Sequence, residues 1–314
     1  MTFYVQTPLT VMISALNKIS FFFRNKFNKN TEYWYSNFDN VRSKREIRKS
    51  VFSKILNKRL IKENIELKIA VLCHLYYFDL WPEFKKYLRN IKVPFDLYVN
   101  LVEGSASFQT LIKVRQQIML LYPNATIIIS DNRGLDIGGT LSLISIIADK
   151  NIEYDLFLKI HTKKSFESTT KKVGNKWRRE LLNSLLGSPR IVKGILTLFK
   201  ENPRLGMLGS KTWHIKAADN YYFAVSSNES GIKSLCSQLN INENIELLEF
   251  FGGTMFWIDA KTLLNKLKGS NINLIINNLE VGYFNADHES TLTHSLERIF
   301  GLLILNAKKE IVSI

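Results

Sequence analysis

IIISDNRGLDIGGTLSLISIIADKNIEYDLFLKIHTKK, residues 127–164, decides the architecture. A β-branched apolar run opens it, and a turn with glycine at positions 134, 138 and 139 follows. An apolar stretch of helical length leads to a second apolar run that ends in His161-Thr162-Lys163-Lys164. β-Branched residues pack well on a pleated surface, and strand–helix–strand within so short a span is a βαβ unit with parallel strands. The pattern predicts a strand over 125–132, a helix over Gly139–Lys150 and a strand over 154–162.

The same alternation continues on both sides. LKIAVLCHLYY (67–77) and FDLYVNLVE (95–103) read as strands, with helices at Trp81–Asn90 and Gln109–Tyr122. Pro82 suits a first helical turn, where its missing N–H has no partner to lose. Downstream, KWRRELLNSLLG is a helix and Leu205–Gly209 a short strand. FFGGTMFW (250–257) is an apolar strand broken near its start by two glycines, and a last helix runs to about Ile304. We expect an α/β fold with a mixed, mainly parallel sheet flanked by helices, as one domain over 67–314. Residues 1–66 form a basic helical extension.

Composition narrows the class. The chain has 314 residues, of which 46% are hydrophobic, and carries a net charge of +15. Residues 1–60 hold twelve Lys/Arg against three Asp/Glu, so most of the excess lies in the extension. A nucleic-acid protein would spread its basic surface over the folded domain, and we expect no nucleic-acid partner. Leu9, Met12, Ile13, Leu16, Ile19 and Phe23 recur at helical spacing beside Arg24, Lys26 and Lys29. That helix could pack on the domain or lie on an anionic membrane face. Residues 42–59 read as a second basic helix. No apolar run is long enough to span a bilayer, and no lysine or arginine precedes Lys18 as a signal peptide would require. Cys73 and Cys236 read as structural thiols of a reducing compartment. The expectation is a cytoplasmic protein whose N-terminus suits the inner face of the cytoplasmic membrane.

Ligands of open parallel sheets bind outside the carboxyl ends of the strands. Two such ends carry unusual residues. In Ser130–Gly139, Gly134 and its neighbours let the backbone approach a ligand. Asn132 and Asp136 can read ribose or sugar hydroxyls and Arg133 can meet phosphate, or Asp136 can simply cap the following helix. At the end of the next strand, His161, Lys163 and Lys164 form a cationic mouth on the same edge, or a merely soluble loop.

The pieces SDNRGLDIGG, YDLFLKIHTKKS, KWRRELLNSLLGS, ENPRLGMLG, FFGGTMFWID and ESTLTHSLERIFGLL span roughly residues 67–305 in order. On them the chain resembles the rhamnan synthesis protein F family of bacterial polysaccharide glycosyltransferases, and the βαβ layout resembles the donor half of GT-A enzymes. The resemblance implies transfer of a hexose or deoxyhexose from a UDP-, dTDP- or GDP-linked sugar. The acceptor it implies is a cell-surface polysaccharide or lipid-linked saccharide of O-antigen, capsule or rhamnan type. A catalytically inactive module tethering such machinery at the membrane is the alternative.

The resemblance also distributes roles. GT-A enzymes usually hold a divalent Mg or Mn ion on the donor diphosphate with Asp-x-Asp at the end of the fourth strand. Here His161-Thr162-Lys163 stands there, so no metal ligand is assigned, and Lys163 or Lys164 could neutralise the departing diphosphate instead. Gly253 and Thr254 would border the reaction centre, with Trp257 and Trp177 beside the acceptor, unless either tryptophan is plain packing. The acceptor's proton needs a carboxylate. Glu289 is preferred over Asp287, and His294 and Glu297, on one helical face, would orient the base or touch the diphosphate.

Overall fold

The computed structural model describes residues 66–164, 171–282 and 291–314. The two N-terminal helices read above therefore lie outside the described residues, as do Asp287, His288 and Glu289.

The first half follows the predicted alternation. β1 (Ile69–Leu75), α1 (Trp81–Leu88), β2 (Asp96–Val102), α2 (Phe108–Leu121), β3 (Thr126–Ser130), α3 (Leu135–Asp149) and β4 (Leu156–His161) come in that order. Their strands are parallel, in the spatial order β3-β2-β1-β4. Pro82 does sit in the first turn of α1. β1 and β4 are buried along their whole length, as expected of strands covered on both faces.

Beyond β4 the chain continues with α4 (Lys171–Leu186), α5 (Pro189–Glu201), β5 (Leu205–Gly209), β6 (His214–Lys216), α6 (Tyr221–Ala224) and α7 (Glu229–Leu239). It ends with β7 (Glu249–Phe251), β8 (Phe256–Asp259), α8 (Ala260–Lys266), α9 (Ser270–Asn278), α10 (Leu292–Asn306) and β9 (Glu310–Ser313). Among the described residues the main sheet has seven strands, β3-β2-β1-β4-β8-β5-β9, and only β8 runs against its neighbours. The mixed, mainly parallel α/β sheet flanked by helices that the sequence leads one to expect is present.

Two local readings need correcting. FFGGTMFW is not one strand. β7 pairs antiparallel with β6 in a separate small sheet, whereas β8 joins the main one. Between them Gly253 has φ +82° and Thr254 φ +47°, two successive left-handed residues that turn the chain. The helix after β3 also starts at Leu135 rather than Gly139, so Gly138 and Gly139 lie in its first turns. They serve packing, not a flexible ligand loop. A Cβ on Gly139 would lie 2.2 Å from His74 Nδ1 and 2.5 Å from Asn100 Oδ1, so only glycine lets α3 sit this close to β1 and β2.

Candidate active site

β8 runs antiparallel to β4, with Phe256 opposite Lys159, so the beginning of β8 lies at the carboxyl end of β4. The Gly253–Thr254 turn is thereby delivered to the edge where α3 begins. Three elements converge there on Asp136.

Lys159 is 1% exposed, a single charge inside an otherwise apolar strand. Its ammonium donates to Asp136 Oδ2 at 2.6 Å, to the Thr254 carbonyl at 2.9 Å and to Thr254 Oγ1 at 2.9 Å. The Thr254 hydroxyl in turn donates to Asp136 Oδ2. All three ammonium protons are thus used, and the bonds hold a β-branched residue in left-handed backbone, a conformation it adopts only under such constraint. Burial works against the Asp136 charge, but neighbouring His161 and Lys159 and the hydrogen bonds from Lys159 and Thr254 outweigh it. They hold its carboxyl well below the usual range. Burial pushes the Lys159 ammonium down while Asp136 pulls it back up.

His161 Nδ1 lies 3.3 Å from Asp136 Oδ2 without the alignment of a hydrogen bond. Burial drives this imidazole well below its ordinary pKa, against the pull of Asp136, so at neutral pH it is uncharged. Lys159 is then the permanent cation beside Asp136. Across the strands, His74 Nδ1 meets Asn100 Oδ1 at 2.7 Å, and Asn100 Nδ2 donates to Ser130 Oγ at 2.8 Å. Burial lowers His74 to about 4, opposed by Asp136 and the Asn100 hydrogen bond. One polar residue near the end of each of β1, β2 and β3 makes this row.

Lys163 and Glu297 form the outer part of the site. Lys163 Nζ sits 3.9 Å from the ring centroid of Trp177 on α4. Burial lowers its pKa, while Asp136 and Glu297 raise it. Glu297, on α10, accepts the Gly253 N–H at 3.0 Å and faces Arg298 at 3.1 Å. Burial raises its pKa, Arg298 lowers it, and the Asp136 charge raises it further. Glu297, Lys163 and Asp136 thus feel one another's charges.

The remaining sequence candidates have other partners. Asp136 is no helix cap: the α3 N-cap is Gly134, in left-handed backbone with no side-chain cap bond. Arg133 donates to the carbonyls of Asn277 and Leu279, at 3.2 and 3.1 Å, and so ties the turn to α9. Asn132 keeps a buried Oδ1 with no hydrogen-bond partner among the described residues. Lys164 bonds Asp79, away from Asp136. Arg178 is buried and holds Glu83, Asn175 and the Lys163 carbonyl, so it fixes the Lys163 loop from below. Trp257 is 0% exposed and its indole N–H points at the Leu185 carbonyl, which makes it core and not an acceptor surface. His294 Nδ1 meets Thr291 Oγ1 at 2.7 Å, at the capped start of α10.

The Asp-x-Asp expected of a metal-bearing GT-A site has no counterpart in the described residues. Thr162 Oγ1 accepts the N–H groups of Tyr76 and Tyr77, and Asp136 Oδ2 is already saturated. No group of three or more His, Cys, Asp or Glu suited to a metal ion occurs among the described residues. The donor set at the β4 end, among the described residues, does not fit a divalent ion. Among the described residues, too, no helix is long and apolar enough to cross a membrane.

Sequence reading missed Lys159, His74, Asn100 and Ser130 as site residues. The available signal was one polar residue near the end of each apolar strand.

Comparison with known proteins adds the lineage. The chain matches the family described as rhamnan synthesis protein F over residues 10–309, so the match reaches well into the N-terminal stretch that the motifs above do not cover. Two uncharacterised proteins named WxcX, from strains B100 and ATCC 33913 of Xanthomonas campestris pv. campestris, are 25% identical over 252 residues. These alignments cover 78% of this chain and 32% of each relative, so the chain spans about a third of their length. Among solved structures, a mannosyltransferase (PcManGT) from Pyrobaculum calidifontis, in complex with GDP-Man and Mn2+, aligns with TM-score 0.37 at 10% identity. That alignment covers 87% of this chain and 66% of that one.

Proposed function

This chain belongs to the rhamnan synthesis protein F family, and from that premise we propose that it is a glycosyltransferase using a nucleoside diphosphate sugar. The sugar is a hexose or deoxyhexose, and the acceptor a growing cell-surface polysaccharide or lipid-linked saccharide of rhamnan, O-antigen or capsule type. The observation that carries this reading is the juxtaposition of Lys163 and Glu297 around the locked Asp136–Lys159–Thr254 cluster, at the carboxyl edge of a parallel sheet. That arrangement supplies one carboxylate, and one cation that forms no ion pair among the described residues, to a site walled by fixed charges.

The chemistry balances with these groups. An acceptor hydroxyl oxygen attacks the anomeric carbon, and the bond from that carbon to the diphosphate oxygen breaks. The electron pair leaves with the nucleoside diphosphate, whose new charge meets the Lys163 ammonium. The hydroxyl proton goes to a carboxylate. We assign that role to Glu297, whose burial favours proton uptake, and keep Glu289 as the alternative. Asn132, with its open Oδ1, would read the nucleoside or sugar, and Gly253 and Thr254 would line the reacting sugar. The positive charge of residues 1–60 supports attachment to an anionic membrane face, where a lipid-linked acceptor would be presented.

A thermal-shift screen of UDP-, GDP- and dTDP-sugars, each with and without Mn²⁺, tests the donor. Stabilisation by one nucleotide class, undiminished by EDTA, is expected. Transfer or hydrolysis assays with the stabilising donor then test catalysis. A donor that binds but is never turned over would favour the tethering module instead.

A further inference from the structure

Glu280 lies between α9 and α10, and its main chain and side chain bond to different parts of the molecule. The Glu280 carbonyl accepts the Gly134 N–H at 2.7 Å, and the Gly282 N–H donates to the Asn132 carbonyl at 2.7 Å. Between these bonds Arg133 and Val281 face each other as an antiparallel bridge. Leu279 closes against Gly134, where a Cβ would lie 2.5 Å from Leu279 Cδ1. Residues 279–282 therefore form a strap along the turn that carries Asn132 and leads into Asp136.

The Glu280 side chain reaches the start of α10. Its Oε1 accepts the Leu292 N–H, and its Oε2 accepts the Thr293 N–H at 3.2 Å and the Thr293 hydroxyl at 2.7 Å. The next N–H, that of His294, donates to Thr291 Oγ1 at 3.2 Å. A helix begins with N–H groups that its own backbone cannot satisfy, and a carboxylate there also meets the positive end of the helix dipole. The first turn of α10 has no acidic residue of its own. Its third position, where a glutamate commonly closes a capping box, is His294. The helix thus takes its carboxylate from 12 positions back. Burial works against the Glu280 charge, but hydrogen bonds from its own N–H, the Thr293 hydroxyl and the Leu292 and Thr293 N–H groups outweigh it. They hold the carboxyl below the usual range.

We infer that Glu280 is a positioning residue, which sets the base-bearing helix α10 in register with the donor turn. The inference rests on the donor and base assignments above. Leu296, Ile299, Phe300 and Leu303 bury α10 in the core. Apolar burial is not directional, so it holds a helix in place without fixing its slide along its own axis. Directional, charge-assisted bonds from Glu280 to the first two N–H groups fix that slide. Glu297, on the same helix, then meets the Gly253 N–H at 3.0 Å. One residue thereby places the donor turn and the Glu297 carboxylate in a common frame. Removing its side chain cuts the link to α10 and leaves the backbone bonds to the turn intact. Turnover should therefore suffer while donor affinity does not.

The test combines steady-state kinetics on the UDP-, GDP- or dTDP-sugar that the wild type turns over with calorimetry of the matching nucleoside diphosphate, UDP, GDP or dTDP. In Glu280→Ala, kcat should fall about 10²-fold, the effect of a misplacement of about 1 Å. The Kd of the nucleoside diphosphate should stay within about twofold of the wild type. Glu280→Gln, with one acceptor oxygen in place of two, should recover part of the loss. A general loosening of the fold would instead move kcat and Kd together. Glu297→Gln supplies the background that separates positioning from stability. Because Glu280 acts through Glu297, adding Glu280→Ala to that variant should cost less than about a further twofold. Full additivity of the two substitutions, an unchanged kcat in Glu280→Ala, or a Kd that rises as kcat falls overturns the inference and leaves the donor reading standing. A wild type that turns over none of the donors overturns both. Should Glu280→Ala fail to fold, Glu280→Gln takes its place in each comparison.

Discussion

Lys159 and Lys163 lie four positions apart, at and just beyond the end of one strand, yet they occupy opposite kinds of environment. Lys159 has every proton committed to Asp136 and Thr254 and is sealed from solvent. Lys163 rests on an aromatic face and answers to carboxylates it does not touch. The inner region is a clasp that ties β4, α3 and the Gly253–Thr254 turn into one rigid piece. The outer region, with Lys163, Glu297 and Trp177, keeps its charge available. The proposed donor binding would draw on both: a fixed shape, and a cation outside any described ion pair.

Breaking the clasp should have the largest effect. Lys159→Met leaves the half-buried Asp136 without its cation, at a cost of up to about 3–5 kcal/mol of stability. Chemical denaturation would read this directly, and a wild-type midpoint would show that the inner region is not the anchor described. The outer region should instead respond in rate. Glu297→Gln is expected to slow transfer about 10²–10⁴-fold with its denaturation midpoint nearly unchanged, and a parallel Glu289→Gln variant decides between the two carboxylates. Full turnover by Glu297→Gln would move the base out of the described cluster.

Acid sharpens the contrast next. His74 and His161 are buried and neutral, with folded-state pKa values below the unfolded 6.5, so the unfolded chain takes up protons first as pH falls. Stability is therefore complete above pH 6.5 and declines below it, for His74 down to about 4. The slope is about 1.4 kcal/mol per pH unit for each histidine once pH is well below 6.5. Urea midpoints measured across that window in wild type and His74→Asn should converge at low pH. The smallest effect belongs to Lys164→Ala. Its partner Asp79 is largely exposed, so stability should change by less than about 1 kcal/mol and transfer not at all. A Lys164 variant as impaired as a Lys163 variant would erase the distinction between them.

Much of this was legible in the sequence, for a physical reason. Strands buried on both faces are continuously apolar, so β1 to β4 announce themselves, and the helices between them follow by periodicity. The split of residues 250–257 between two sheets was not legible, because it depends on a left-handed threonine whose side chain is held by Lys159 and Asp136, far away in sequence. Asp136, His161 and Lys163 stand out as polar residues beyond apolar strands, whereas Gly253, Thr254 and Glu297 are candidates through the family resemblance. What each one does depended on long-range partners. Arg133 and Lys164 look equally suited to phosphate in the sequence, yet one holds backbone carbonyls and the other a surface aspartate. Trp257 looked available because an aromatic beside glycines reads the same whether it faces a ligand or the core.

Among the described residues β8 is the one antiparallel strand of the main sheet, and that bears on how the molecule comes into being. β1–β2 and β2–β3 pair across 26 and 28 positions and β4 returns to β1 across 87, and Lys159 then waits for Thr254, a further 95 positions on, to close the clasp. Contacts so distant in sequence pay their loop entropy before they return anything, and they tend to form late. During synthesis the amino-terminal sheet can therefore assemble while Lys159 is held by Asp136 alone, with its two Thr254 bonds still unmade. That nascent half is a hazard until β8 arrives, and chaperone capture or proteolysis should concentrate in that interval.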